Sequence, residues 1–141
     1  MLAPWIHAFR LRTLPLAMSS ILTGSALAGF AHGFRWPVFT LAMLTAVLLQ
    51  VLSNLANDLG DHQHGTDDDS RVGPQRAVQS GAISPVAMKR AMWACGGLAL
   101  ASGIALILVA LGTTISTFAF LLLGLVAIAA AVKYTFGRNP Y

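Results

Sequence analysis

Four apolar runs, each about as long as a bilayer crossing, constrain this chain more than any other feature. They lie at Thr13 to Ala31, Pro37 to Asn54 or a little beyond, Val86 to Leu111 and Ile115 to Val132. A hydrocarbon core of about 30 Å takes about 20 apolar helical residues. Each run is therefore expected to be a transmembrane helix, over about 13–31, 37–57, 86–111 and 115–132. The expected fold class is all-α: a polytopic membrane helix bundle with four transmembrane helices in one domain over residues 1–141. A hydrophobic fraction of 56% with only 10% charged residues excludes an ordinary water-soluble globule.

The linkers are unequal. Residues 32–36 and 112–114 make short turns, whereas a polar loop runs from residue 58 to 85. Counting Lys and Arg on alternate ends gives Arg10, Arg12, Arg71, Arg76, Lys89, Arg90, Lys133 and Arg138 on one side and Arg35 alone on the other. The positive-inside rule then puts the N-terminus, the long loop and the C-terminus in the cytoplasm. Trp5, Trp36 and Tyr134 fall near the expected interfaces.

A formal charge of +4 could suggest nucleic acid, but the basic residues stand singly at the ends of apolar runs, with no basic stripe among aromatics. A cleavable signal peptide is disfavoured because three further apolar runs follow the first. The one cysteine, Cys95, is expected to be a small buried packing residue. Rows of small residues at Ser20, Gly24 and Ala28, and at Gly97, Ala101 and Ala105, are expected to let helices approach closely.

Every acidic side chain of the chain lies between residues 58 and 69, and there is no glutamate. In Asn54-Leu-Ala-Asn57-Asp58-Leu-Gly-Asp61, helical spacing puts Asn54, Asp58 and Asp61 at i, i+4 and i+7, on one face. Gly65 can then end the helix and let Asp67 turn back. Carboxylates at the mouth of a membrane bundle are costly unless paired or bound to cations. Oxygen ligands of this kind suit magnesium, which accepts one or two carboxylates and completes its shell with water and phosphate oxygens. A phosphate-bearing substrate is implied, and Arg71 and Arg76 are placed to grip a departing diphosphate. Asp68 and Asp69 read as solvated loop, and His62 and His64 diverge rather than form a zinc site.

The spacing Asn54-x3-Asp58-x2-Asp61-x3-Gly65-x-Asp67 resembles the first aspartate-rich motif of the UbiA-type intramembrane prenyltransferases. The loop Arg71-Val-Gly-Pro-Gln75-Arg76-Ala-Val-Gln-Ser-Gly81 is similar to that of one branch, the 1,4-dihydroxy-2-naphthoate polyprenyltransferases of menaquinone synthesis. The segments Trp5-Ile-His-Ala-Phe-Arg10-Leu-Arg12-Thr-Leu-Pro15 and Tyr134-Thr-Phe-Gly-Arg-Asn-Pro-Tyr141 resemble the same branch. The resemblance implies a bundle of about nine membrane helices in a bacterial inner membrane. Magnesium held by two aspartate motifs binds a polyprenyl diphosphate there, and an aromatic acceptor, dihydroxynaphthoate in this branch, is alkylated with loss of diphosphate and carbon dioxide.

Carried onto this chain, the resemblance makes Asn54, Asp58, Asp61 and Asp67 the magnesium ligands. Asp58, Asp61, Arg71 and Arg76 become the catalytic set, and Asn54, Asp67, Gln75 and Arg12 the substrate contacts. After Asp69 nothing supplies the second aspartate motif. The chain therefore reads as the N-terminal half of such an enzyme, inactive alone and needing a C-terminal half or a split partner chain.

Other readings fit less well. Membrane phosphotransferases acting on CDP-linked lipids carry Asp-Gly followed by Ala-Arg, which these acids lack. Soluble prenyl diphosphate synthases use Asp-Asp-x-x-Asp, unlike Asp67-Asp68-Asp69. Prenyl transfer to another aromatic acceptor stays open. A transporter fragment would favour acids in mid-span, and a membrane scaffold would use the acidic loop to dock a basic partner.

Overall fold

Proline and glycine punctuate a helical chain. A computed structural model describes residues 2–64 and 76–136. Among them the regular structure is entirely helical: α1 (Ala3–Phe9), a 3-10 turn (Leu11–Thr13), α2 (Leu14–Phe30), α3 (Trp36–His64), α4 (Pro85–Leu111) and α5 (Ile115–Phe136). Pro4, Pro15 and Pro85 each occupy a first-turn position, where a missing N–H costs nothing. Pro15 also explains why α1 and α2 are not one helix, since it has no N–H to return to the carbonyl of Leu11. Ser84 caps α4 by accepting from the N–H of Ala87 at 3.2 Å. At the far end Gly112 closes α4 with φ 64 and ψ −146, a backbone conformation open to glycine alone, and donates its N–H to Leu108.

Among the described residues, three stretches are long and apolar enough to cross a membrane: Ala3–Phe30, Trp36–Gln63 and Pro85–Leu111. Ile115–Ala129 is a shorter apolar helix within α5. The four-span expectation thus meets three candidate spans and one shorter segment. The polar loop expected from residue 58 also begins later, because α3 stays helical through His64.

The principal seam joins α3 to α4. Cys95, Ala99 and Ser102 are the buried residues of α4 along it. The Cys95 thiol donates to the carbonyl of Leu48 at 3.2 Å, and the hydroxyls of Thr45 and Ser102 share a hydrogen bond of 2.9 Å. Gly96 and Gly103 are the close-approach glycines: a Cβ on either would meet Leu52 or Thr45 at 3.7 Å. The expected row of Gly97, Ala101 and Ala105 lies one step off this seam, and a Cβ on Gly97 meets nothing within 4 Å. At the end away from the acids, Arg35 donates to the carbonyls of Val109 and Ala110 at 2.8 and 3.2 Å. These are among the last four carbonyls of α4, which have no partner within the helix.

The buried core sits at the opposite end. Leu55 and Leu59 of α3 meet Ala8 of α1, Ala77, Val78 and Ile83 of the segment before α4, and Met88 of its second turn. Trp5 and Phe9 pack on this cluster from α1. The last turns of α3 are therefore the hub around which the N-terminal helix and the end of the polar loop gather.

Candidate active site at the end of helix α3

The helical spacing of Asn54, Asp58 and Asp61 makes each a neighbour of the next along α3. All three point into protein, Asn54 toward the joint between α1 and α2 and the two aspartates toward the segment that leads into α4. Asn54 is 3% exposed. Its amide nitrogen donates to the carbonyl of Phe9 at 2.9 Å and to the hydroxyl of Thr13 at 3.0 Å. Its oxygen accepts from the side-chain amide of Gln50 at 3.3 Å, one turn earlier. Both amide hydrogens are used, so Asn54 retains one oxygen lone pair to offer a ligand.

Asp58, also 3% exposed, turns toward the segment leading into α4. Its two oxygens accept the backbone N–H groups of Ala77 and Val78 at 3.2 and 3.4 Å. A buried carboxylate would be costly here without such donors. With them, it ties the start of that segment to α3. The segment is tied to itself by Ser80 N–H to Arg76 carbonyl at 2.9 Å and Ile83 N–H to Ala77 carbonyl at 3.0 Å.

Asp61 forms an ion pair with the guanidinium of Arg76, and both side chains are mostly covered. The other arm of Arg76 donates to the backbone carbonyl of Asn57 at 2.7 Å. Arg76 thereby bridges two positions on α3 and closes the segment over the acids. The structure thus brings Asn54, Asp58, Asp61 and Arg76 together at one end of the bundle. Arg12 lies in the 3-10 turn beside Thr13, with its side chain exposed. Asp67, Arg71 and Gln75 lie outside the described residues.

The sequence pattern of the UbiA prenyltransferase family matches residues 17–141 of this chain. The chain belongs to the UbiA prenyltransferase family. Relatives named 1,4-dihydroxy-2-naphthoate octaprenyltransferase include those of Haemophilus influenzae, 48% identical over 139 residues, and Escherichia coli, 46% identical over 137. Each alignment takes in 97% of this chain, but 45% and 44% of the respective relative. The protein of that name from Mycobacterium tuberculosis is 36% identical over 99% of this chain and 45% of its own length. The chain thus spans about 45% of the length of these curated relatives. No solved structure matches it.

UbiA membership raises the question whether these residues suit a divalent ion. The donor chemistry suits magnesium: two carboxylates and an amide oxygen on one helical face. Asp58 is committed to backbone donors and Asp61 to Arg76, and among the described residues no three His, Cys, Asp or Glu side chains gather as a ready site. The described residues thus fit an ion whose shell is completed by substrate oxygens and water rather than by protein alone.

Gln50 and Thr13, which engage Asn54, were not singled out by sequence. Gln50 was the legible one, a lone amide inside an apolar run and one helical turn from Asn54. The carbonyl of Asn57 that receives Arg76 carries no sequence signal at all.

Proposed function

We propose that the complete protein of which this chain forms part transfers a polyprenyl group from a polyprenyl diphosphate to 1,4-dihydroxy-2-naphthoate, with loss of diphosphate and carbon dioxide, in menaquinone biosynthesis. The observation that carries this reading is the aspartate row of α3, clasped by Arg76 at one end of an apolar bundle, in a UbiA chain 48% identical to a protein named for naphthoate prenylation. In this reading α5 is a fourth span, and the N-terminus and acidic end face the cytoplasm of a bacterial inner membrane. Further helices, from the rest of the protein or a partner chain, complete the cavity and bring the second acidic motif.

Asn54, Asp58, Asp61 and Asp67 would hold magnesium against the diphosphate, Asn54 through the oxygen lone pair its hydrogen bonds leave. When bound, the ion neutralises the leaving group and so favours rupture of its bond to the allylic carbon. Arg76 has the guanidinium fork that matches phosphate oxygens, and lies on the carboxylate that would meet the ion. Arg71 joins it in gripping diphosphate as negative charge builds, and Gln75 and Arg12 contact the substrate. Asp58 keeps the segment from Arg76 to Ile83 in place, excluding water from an allylic cation that water would quench. The apolar faces of the spans line the path of the isoprenoid tail.

The test is prenyl transfer by the complete protein in membrane vesicles, supplied with magnesium, octaprenyl diphosphate and a pool of aromatic acceptors. Prenylated naphthoate is expected as the product, with turnover reduced at least about 100-fold in Asp61→Ala, the loss of a group needed in the transition state. Selective prenylation of another acceptor would displace the naphthoate reading.

A further inference from the structure

We propose that Asn54 is a positioning residue: its two amide hydrogens set the joint between α1 and α2, so that Arg12 is held at the acidic end of α3 to meet a phosphate oxygen of the substrate. The role of Arg12 in this inference rests on the diphosphate reading above; the hold of Asn54 on the joint does not.

The hydrogen-bond polarity at the joint is fixed. Phe9 offers a carbonyl, which can only accept, at the C-terminal end of α1 where carbonyls lack intrahelical partners. The Thr13 hydroxyl spends its single hydrogen on the carbonyl of Arg10 at 2.9 Å, so toward Asn54 it too can only accept. Two acceptors from the N-terminal segment therefore converge on one nitrogen with two hydrogens. A carboxylate in that place would face both with lone pairs.

The backbone between them needs such a hold. Arg10 has φ 49 and ψ 58, a left-handed conformation that a side chain of its kind rarely adopts and that persists only where its surroundings over-determine it. Thr13 returns to Arg10 twice, through its N–H at 2.8 Å and its hydroxyl. Arg12 is carried on the single 3-10 turn between this strained residue and the threonine that Asn54 grips. Asp58 and Asp61 follow Asn54 by one and two turns on the same face. One side chain of α3 thus fixes the backbone that carries Arg12 at the end of α3 where Asp58 and Asp61 stand.

The experiment uses the complete protein in lipid nanodiscs with the variants Asn54→Asp, Thr13→Val, Thr13→Ser and Arg12→Ala, and Thr40→Val as a control far from the acids. Asn54→Asp keeps an oxygen for an ion and removes both donors; Thr13→Val changes the joint alone, should the first variant fail to fold. Amide hydrogen exchange at Thr13 and Leu14 is expected to speed up at least tenfold in Asn54→Asp and Thr13→Val, with Thr13→Ser restored to wild type. The KM for octaprenyl diphosphate should rise about tenfold in Thr13→Val, with kcat, the acceptor KM and the magnesium concentration for half-activity within twofold, and should rise at least as much in Asn54→Asp. Combining Asn54→Asp with Arg12→Ala should be no worse than Arg12→Ala alone. Unchanged exchange in Thr13→Val overturns the hold on the joint. A silent Thr13→Val beside an Asn54→Asp with a shifted magnesium requirement overturns it in favour of an ion ligand. A wild-type protein without turnover overturns the diphosphate reading and the role of Arg12 with it, while the exchange data still decide the joint.

Discussion

Asp58 shows how a charge is kept inside an apolar bundle. At 3% exposure, its carboxylate is held by two successive backbone N–H groups, so removing it orphans two buried donors. Each orphaned donor costs about 1–3 kcal/mol. Asp58→Ala is accordingly expected to speed amide exchange at Ala77 and Val78 by about 10- to 100-fold, at about 1.4 kcal/mol per factor of ten, with Asp58→Asn milder because it keeps one acceptor oxygen. Equal exchange in all three proteins would show that the segment is held by its packing alone. Helical spacing put Asn54, Asp58 and Asp61 on one face and predicted a common task. Their three separate sets of partners were not legible, because Asn54 meets residues 41 and 45 positions away and Asp58 residues 19 and 20 positions away. Periodicity reports which side chains share a face; it says nothing of what arrives from elsewhere in the chain.

Among the elements, α3 organises the rest, with α4 along its length and the short α1 at its polar end. Its seam with α4 runs close at Gly103, where a Cβ would stand 3.7 Å from the methyl of Thr45, an ordinary contact. Gly103→Ala is expected to leave the thermal midpoint in detergent within error, whereas Gly103→Leu should lower stability by about 1–3 kcal/mol through overpacking; an unaffected leucine variant would place the two helices further apart. Gly112→Ala should destabilise by about 1–3 kcal/mol for a different reason, a backbone angle that a Cβ opposes, and the same thermal measurement checks it. The helical character of the chain was legible because long apolar runs and first-turn prolines are local signals. The continuation of α3 to His64 was not, since hydropathy marks where a helix leaves the lipid and the backbone ladder continues past that point. Nor was α1 seen as a separate helix, although Pro15 marks the break between it and α2.

For the whole molecule, the described helices leave wide apolar faces, most of all on α2, which has no buried residue. In the proposed function these faces meet lipid and the helices that complete the cavity. The 141 residues alone, in membranes supplied with magnesium, octaprenyl diphosphate and dihydroxynaphthoate, are therefore expected to show no prenyl transfer; robust turnover would mean that this half holds a whole site. In the proposed function the carboxylates at the end of α3 hold a divalent ion against a lipid diphosphate. Calorimetric titration of the complete protein with a non-hydrolysable polyprenyl diphosphate analogue, with magnesium and with EDTA, tests it most directly. Binding is expected to need magnesium and to weaken at least tenfold in Asp61→Asn. Equally tight binding in EDTA and in that variant would contradict it.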